Sequence, residues 1–300
     1  MLETKQLLIF RTIVELGSFT RAGVRLGMSQ PAISQQVRAL EQQVGVPLLL
    51  RRTKFARPTP GGEVLLQYAR QILGKVDEVE RALAAVADGD TGVVRVAAGG
   101  AACQYLLPSV LREFRARFPR VEIQVSAGHT TRTVERLQHG DADLGLVTLP
   151  VHAESMRVTT VGRDELMVIV PPDHPWSSRR RVMPTDLAEQ PIVLYERQSR
   201  ATDLILRALL ADGVFARIAM EIDHLGAAKE MVQAGLGVSM LPEWAVRDEV
   251  AAGKLIALSL GKTGLWRTWG LASVERPSSP LSLRALVRLC LDRLPRALAA

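Results

Sequence analysis

Glycines divide the first 45 residues into short segments of helical pattern. Residues 4–16 carry apolar side chains at helical spacing and end at Gly17, and residues 19–26 repeat this arrangement before Gly27. Glycine suits the left-handed backbone conformation in which helices commonly end. A third helix then begins after Ser29, a good N-cap residue. The sequence therefore predicts three short helices, of which the last two are joined by a tight turn.

The third predicted helix has two chemically different faces. Its apolar residues fall within a narrow arc at 100° per residue, which indicates a core-facing side: Ile33, Val37, Leu40 and Val44. The other side carries glutamine and arginine, whose long side chains can reach base edges in a major groove. The predicted DNA contacts of this helix are Ser29, Gln30, Pro31, Ser34, Gln35 and Arg38. A polar surface helix without any nucleic-acid partner is the alternative.

Positive charge is concentrated in the same part of the chain. Residues 1–58 hold nine lysines and arginines against three acids, whereas the whole chain has a net charge of +7. The segment 51–58 is the most basic stretch and follows a short apolar run, so we expect a β-hairpin wing whose cations lie on DNA phosphates. Its predicted contacts are Arg52, Lys54 and Arg57. Such an excess favours a polyanion partner through counterion release, although a solvated basic face would have the same composition.

A long helix with a dimerisation seam is expected after Gly62. Apolar residues recur there at alternating spacings of four and three, as in a coiled-coil heptad: Leu65, Ala69, Ile72, Val76, Val79, Leu83 and Val86. The same helix of a second copy would cover this seam. Packing on the chain's own core is the alternative, because Val64, Leu66 and Leu73 widen the apolar stripe.

Strand and helix patterns alternate through the remaining two thirds of the chain. Strands are predicted at 93–98, 121–125 and 142–148, and helices at 104–118, 130–139 and 282–294. This alternation predicts an α/β fold with helices covering its sheets. Ligands in such folds bind beyond the carboxyl ends of the strands, where loops lead into helices.

The quoted segments resemble one known family. Phe19-Thr20-Arg21-Ala22, the run from Ser29 to Glu41, Gly45-Val46-Pro47-Leu48 and Thr59-Pro60-Gly61-Gly62 resemble the DNA-binding signature of LysR-type transcription regulators. Leu49 and Leu50 depart from the usual family pattern before Arg51, which bears on the packing of the wing. Tyr105-Leu106-Leu107-Pro108, Gly140 to Gly145 and Ala234 to Val238 resemble the effector domain of the same family.

The resemblance implies an α/β protein with an α-rich N-terminal winged helix-turn-helix, a long linker helix and a periplasmic-binding-protein-like effector domain. The domains would span residues 1–58, 59–91 and 92–300. The last would contain subdomain I (92–162 and 269–300) and subdomain II (163–268). The implied activity is sequence-specific regulation of transcription, with a small molecule, favoured to be anionic, in the cleft between the subdomains. The implied partners are double-stranded DNA and further copies of the chain, as a dimer or tetramer, and RNA polymerase is a further candidate.

The resemblance also places candidate effector contacts in four loops and at one helix start. These are Gly100, Ala101, His129, Thr148, Ser199, Thr202 and His224. Ala101 falls where the family commonly has a serine or threonine, so a hydroxyl is missing there. The alternative for each of these residues, taken singly, is an exposed loop side chain that binds no ligand.

Other functional classes are less well supported by the sequence. The chain shows no nucleophile–base–acid set, phosphate-binding loop or metal motif, so we expect neither catalysis nor a cofactor. An enzyme or a cytoplasmic small-molecule-binding protein on the same fold is the alternative. Cys103 allows a redox-sensor hypothesis, whereas Cys290 shares a helix face with leucines and is expected in the core. The sequence starts without a secretion-signal pattern and has no apolar run of membrane-spanning length, which predicts a cytoplasmic protein.

Overall fold

A computed structural model describes residues 2–50, 56–87, 91–151, 156–274 and 279–299. The chain forms two compact units. The first comprises residues 1–84 together with 138–141, and the second comprises residues 85–137 and 142–300.

Three short helices form the core of the first unit. They are α1 (Thr4–Leu16), α2 (Phe19–Leu26) and α3 (Gln30–Val44). The bounds and glycine ends of α1 and α2 and the start of α3 after Ser29 are those that the sequence predicts. Ser18 and Ser29 accept hydrogen bonds from backbone N–H groups in the first turns of α2 and α3. Ile33, Val37 and Leu40 of α3 are buried with Phe10 and Ile13 of α1. The predicted division of α3 into an apolar and a polar face is therefore confirmed.

A short hairpin follows α3. Strand β1 (Leu49–Leu50) pairs antiparallel with β2 (Arg57–Pro58), which confirms a hairpin at the predicted position. Leu49 is buried and Leu50 is exposed, so one of the two unusual leucines joins the core.

One long helix, α4 (Pro60–Ala87), completes the first unit. Part of the predicted seam packs on the chain itself, because Ala69 is buried against Leu7 and Leu65 packs beside them. The large exposed apolar residues of α4 form a neighbouring stripe: Val64, Tyr68, Ile72, Val76 and Val79. The side chains of Leu83 and Val86 lie outside the described residues. The prediction that Leu65 and Ala69 belong to an open seam is wrong, since the core of the unit takes both.

Eight of the described strands form one mixed sheet in the second unit. They are β3 (Gly92–Ala98), β4 (Val121–Ala127), β5 (Leu144–Thr148), β6 (Met156–Val170), β7 (Arg181–Val182), β10 (Ser239–Pro242), β11 (Ile256–Leu260) and β12 (Trp266–Val274). The order is β4-β3-β5-β12-β6-β11-β7, and β10 pairs with β6. Strands β8 (Pro191–Tyr195) and β9 (Arg217–Ile222) form a parallel pair that reaches β10 through a bridge between Ile192 and Val238.

Strand β6 connects the two halves of this sheet. Residues 156–165 pair with β12, which continues to β5, whereas residues 166–170 pair with β10 and β11. The two parts of the sheet therefore meet between Glu165 and Leu166, next to Asp164.

Seven helices of the second unit are described. They are α5 (Gly100–Tyr105), α6 (Leu107–Arg117), α7 (Thr130–Gln138), α8 (Arg200–Ala211), α9 (Leu225–Gln233), α10 (Glu243–Ala251) and α11 (Leu281–Ala299), and a 3-10 turn spans Pro184–Leu187. The prediction of one helix over 104–118 is wrong. The chain forms two helices that meet at Leu106, and Pro108 lies in the first turn of the second, where it costs no helical hydrogen bond.

None of the described helices is long and apolar enough to span a bilayer. The described residues also contain no group of three or more histidine, cysteine or acidic side chains arranged to hold a metal ion.

Candidate nucleic-acid interface and ligand cleft

A close approach of α2 to the following turn sets the angle between α2 and α3. A Cβ atom on Gly23 would lie 2.6 Å from the carbonyl oxygen of Met28, so no larger residue fits in the middle of α2. Gly27 ends α2 with a φ of 64°. The two helices are thus held in a helix-turn-helix arrangement by two glycines with different roles, one giving space and the other a left-handed turn.

The polar face of α3 is open to solvent. Gln35 and Arg38 are exposed and lie about one turn apart. Gln30 and Pro31, at the start of the helix, are also exposed, whereas Ser34 is half-buried. These side chains can meet an approaching duplex without any rearrangement of the core beneath them. The other predicted contact on this helix, Ser29, is exposed, but its hydroxyl oxygen caps α3 by accepting a hydrogen bond from Ala32 N–H at 3.4 Å.

The hairpin is attached to α3 by a buried carboxylate. Oε1 of Glu41 accepts hydrogen bonds from the backbone N–H groups of Leu48 at 2.8 Å and Leu49 at 3.3 Å. Thr59, which follows β2, links the two ends of the hairpin, because its hydroxyl donates a hydrogen bond to the carbonyl oxygen of Pro47 before β1 at 2.6 Å. Arg57 is exposed on β2. These hydrogen bonds fix the described strands of the hairpin relative to the buried side of α3, while the predicted contacts Arg52 and Lys54 lie outside the described residues.

A cleft in the second unit opens at the carboxyl ends of the strands. Its lining includes five of the seven predicted effector residues and several of their neighbours on the same loops: Gly99, Ala101, Ala102, His129, Thr130, Thr148, Ser199, Arg200, Thr202, Tyr195, Glu196, Arg267 and Trp269. The free volume is about 40 Å³. This is room for a few water molecules and far less than a typical drug-sized pocket.

Two predicted residues do not line the cleft. His224 is exposed and turns back on its own helix, where Nδ1 accepts a hydrogen bond from Ala227 N–H at 3.4 Å and caps α9. Gly100 starts α5 behind the lining, and a Cβ atom there would lie 3.6 Å from the Tyr195 hydroxyl. Ala101, His129, Thr148, Ser199 and Thr202 are brought together as predicted.

The hydroxyls of Ser199 and Thr202 are largely used by their own loop. Ser199 Oγ accepts from Thr202 N–H at 3.1 Å, and the Thr202 hydroxyl lies 2.9 Å from the Tyr195 carbonyl oxygen and 3.1 Å from that of Glu196. Their main role is therefore to fix the start of α8. The hydroxyl of Thr130, on the other side of the cleft, is also used within the protein. Its oxygen accepts a hydrogen bond from Thr148 N–H at 3.0 Å, which links the start of α7 to the end of β5.

Three charged residues line the cleft: Arg200, which adjoins the predicted Ser199, and Glu196 and Arg267, which the sequence analysis missed. Arg267 comes from β12. Arg200 starts α8, and its buried Nε has no hydrogen-bond partner among the described residues. Glu196 has a left-handed φ of 52°, a strained conformation for a residue with a side chain. Burial raises the pKa of the Glu196 carboxyl, and the nearby His129 and Arg267 oppose that rise.

Tyr195 brings a phenol group to the loop that lacks a hydroxyl at Ala101. Burial raises the pKa of Tyr195, and the nearby backbone N–H of Ala101 opposes that rise. The Tyr195 hydroxyl therefore lies at the start of α5, in space that a ligand anion could use.

Arg267 is held in place by a buried network. Asp164 is 1% exposed and Arg267 8% exposed. Nε and Nη2 of Arg267 donate to the two carboxylate oxygens of Asp164, which also accept from the indole N–H groups of Trp244 at 2.6 Å and Trp269 at 3.0 Å. The guanidinium carbon lies 4.5 Å from the centre of the Trp269 ring. Four donors thus satisfy one carboxylate and fix an arginine on the cleft wall.

Two family models match this chain. One, described as "Bacterial regulatory helix-turn-helix protein, lysR family", matches residues 4–63, and the other, "LysR substrate binding domain", matches residues 87–295. The chain belongs to the LysR family of transcription regulators. It is therefore a DNA-binding regulator whose activity is modulated by a small molecule bound to its C-terminal domain.

Curated relatives and solved structures are similar to this chain over most of its length. A probable RuBisCO transcriptional regulator from Emiliania huxleyi is 32% identical over 256 residues, covering 83% of this chain and 82% of that protein. A full-length OxyR variant from Pseudomonas aeruginosa superposes with a TM-score of 0.72 at 22% identity, covering 98% of this chain and 95% of that one. CbnR in complex with its target DNA superposes with a TM-score of 0.69 at 24% identity, covering 99% and 100% of the two chains. The similarity spans both units.

Proposed function

We propose that the polar face of α3 enters the major groove of an operator and that the hairpin lies on the flanking backbone. The observation that carries this proposal is the exposure of Gln35 and Arg38 on a helix whose opposite face is fully packed. Arg57 supplies a cation on the hairpin. Base contacts determine the preferred sequence, whereas phosphate contacts determine position and salt dependence.

We further propose that the active form is a homodimer or a tetramer built from dimers. The exposed stripe of α4 supports this assignment, because Ile72 and Val79 are 40% and 58% exposed although both are apolar. Pairing of two such helices would bury the stripe and set two winged units on one palindromic operator. Because its partner is chromosomal DNA, the protein would act in the cytoplasm, and RNA polymerase is a candidate further partner.

The proposed effector site is the cleft between subdomain I (92–162 and 269–300) and subdomain II (163–268). Arg200 and Arg267 supply positive charge there, and only Nε and Nη2 of Arg267 are bonded to Asp164. These groups favour an anion, and the small free volume favours one with few atoms, such as a short carboxylate or phosphate. Entry of a larger anion would require Tyr195 to leave the start of α5 and the subdomains to separate.

A regulatory mechanism follows from this arrangement. An effector that binds one arrangement of the subdomains more tightly shifts the population toward it. In a dimer or tetramer, such a shift would change the spacing of the winged units and hence the affinity for the operator. Activation and repression both fit this mechanism.

An enzymatic role is not supported by the contacts of the cleft. Ser199, His129 and Glu196 all line it, and such residue types can form a catalytic triad. However, Ser199 Oγ bonds to Thr202, and Nδ1 of His129 accepts from Arg132 N–H at 3.4 Å. Within the described part of the chain, Ser199 therefore has no base beside it, and we propose that the protein is not an enzyme.

The effector proposal is tested by calorimetry with a panel of short carboxylates and inorganic phosphate on the full-length protein. Arg200→Gln should weaken anion binding severalfold, whereas Arg207→Gln, an exposed position two turns later on α8 and outside the cleft, should leave it unchanged. Binding of only uncharged apolar ligands, or equal behaviour of the two variants, would contradict an anion site in the cleft.

A further inference from the structure

A second and wider groove lies between the first half of α11 and the face of the sheet formed by β5, β12 and β6. Its volume is about 540 Å³, and it shares no lining residue with the cleft. The lining residues are Leu144, Arg157, Thr159, Leu271, Ser273, Val274, Ser279, Leu283, Arg284, Val287, Arg288 and Leu291. This volume is within the usual range for small-molecule sites.

The floor of the groove is apolar. Leu144 and Leu271 come from the sheet and Leu283 from α11, and all three are buried. Val287 and Leu291 continue the same surface along α11 and are half-buried. An apolar group of about one ring in size would find contacts on both the sheet and the helix, and its transfer from water would be favourable.

The rim of the groove carries three exposed arginines: Arg157 on β6, and Arg284 and Arg288 on α11. Arg284 and Arg288 are four residues apart, so their like charges repel each other on the helix surface. Among the described side chains, none of the three has a carboxylate partner, in contrast to Arg293 further along α11, which pairs with Glu113 at 2.9 Å. The groove thus combines an apolar floor with positive charge that no carboxylate among the described side chains pairs with.

We propose that this groove is a binding site, separate from the effector cleft, for a small organic carboxylate with an aryl or short alkyl body. The apolar body would lie on the leucine floor, and the carboxylate would lie among the guanidinium groups of Arg157, Arg284 and Arg288. The hydroxyls of Thr159, Ser273 and Ser279 line the same groove and can donate to the carboxylate. An inorganic anion would leave the floor in water, and an uncharged ligand would leave the arginines unpaired.

The first experiment compares three probes on the full-length protein by saturation-transfer NMR and calorimetry. Phenylacetate should bind, phenylacetamide has the same shape without the charge and should bind about tenfold more weakly, and acetate should not bind this groove detectably. Equal binding of phenylacetate and phenylacetamide would overturn the proposal. So would the absence of phenylacetate binding up to about 10 mM, a concentration that would reveal even a weak site.

The second experiment uses variants to locate the site at which phenylacetate binds. The double variant Arg284→Gln with Arg288→Gln should weaken binding about tenfold while its thermal unfolding stays unchanged, because both positions are exposed. Arg296→Gln is the matched control, since Arg296 is exposed on the same helix but outside the groove. Arg200→Gln in the cleft should also leave phenylacetate binding unchanged.

Two results would overturn the assignment at this stage. Loss of phenylacetate binding in Arg200→Gln but not in the double variant would place the ligand in the effector cleft. Loss of self-association in the double variant, without any effect on phenylacetate, would assign the groove to contacts between copies of the chain. Neither result depends on whether the cleft binds its own effector.

Discussion

Asp164 and Arg267 are direct neighbours across β6 and β12, and they form a bidentate ion pair with N–O distances of 2.9 and 2.7 Å. They are 103 residues apart in the sequence. The pair lies where β6 passes from one part of the sheet to the other, and its arginine lines the cleft. A ligand that contacts Arg267 would therefore act directly on the strand that joins the two parts of the sheet.

Removal of one partner of this pair should be costly. Asp164→Asn or Arg267→Met leaves a buried charge without its counter-charge, and each should lower the free energy of unfolding by about 3–5 kcal/mol. The double variant Asp164→Asn with Arg267→Met should lose much less than the sum of the two single losses. Urea denaturation of the four proteins measures this cycle, and additive losses would show that the two residues do not act as a pair.

Dimerisation through α4 should depend on its exposed stripe. Ile72→Glu places a charge within the stripe and should shift the protein toward monomer and weaken operator binding. Gln67→Glu adds the same charge on an exposed part of α4 outside the stripe and serves as the control. Sedimentation equilibrium distinguishes them, and an unchanged dimer in Ile72→Glu would rule out this stripe as the interface.

The carboxyl of Glu196 should oppose anion binding in a pH-dependent way. Burial raises the pKa of Glu196 in the folded protein above its value in the unfolded chain. Protonation of this carboxyl therefore stabilises the fold fully at pH values below the unfolded-state pKa. This contribution to stability is lost as the pH rises through the folded-state pKa. Glu196→Gln should therefore gain stability relative to the parent protein between mildly acidic and neutral pH. It should also bind short carboxylates several times more tightly at neutral pH. Thermal unfolding at mildly acidic and at neutral pH measures the difference in stability, and calorimetry at neutral pH measures anion affinity. Weaker anion binding by Glu196→Gln would contradict repulsion between Glu196 and the anion.

The two cysteines should react slowly in the folded protein. Burial raises the pKa of Cys103 and raises that of Cys290 to about 12, which disfavours the reactive thiolate in both cases. Labelling with a chromogenic disulfide at neutral pH should modify neither residue quickly until the chain is unfolded. Rapid modification of Cys103, together with loss of operator binding after peroxide treatment that Cys103→Ser prevents, would instead support the redox-sensor hypothesis.

Local patterns in the sequence were sufficient for the first unit. Gly17 and Gly27 mark the C-terminal ends of α1 and α2, and Ser29 marks the start of α3. These positions can be predicted because a helix cap satisfies backbone groups that are close in the sequence. The buried face of α3 follows from its periodicity. In contrast, Ala69 has the spacing of a dimer seam but packs on Leu7, since periodicity identifies an apolar face without identifying its partner.

The cleft was predictable only in part. Ala101, His129 and Thr148 follow strands or lie at strand ends, and their approach to one another is a consequence of the sheet. Arg267 and Asp164 carry no local signal, because their pairing depends on the register of two strands distant in the sequence. His224 was expected at the cleft from its place in the family pattern, but its side chain caps α9 instead.

The most direct test of the account is a fluorescence-anisotropy titration of duplex DNA with the full-length protein and with Arg38→Ala. The fragment that flanks its own gene should bind more tightly than a scrambled fragment of equal length. Arg38→Ala should weaken binding to the specific fragment by about 1–3 kcal/mol and have a smaller effect on the scrambled one. Equal affinity for both fragments at every salt concentration, with no effect of Arg38→Ala, would contradict sequence-specific binding through α3.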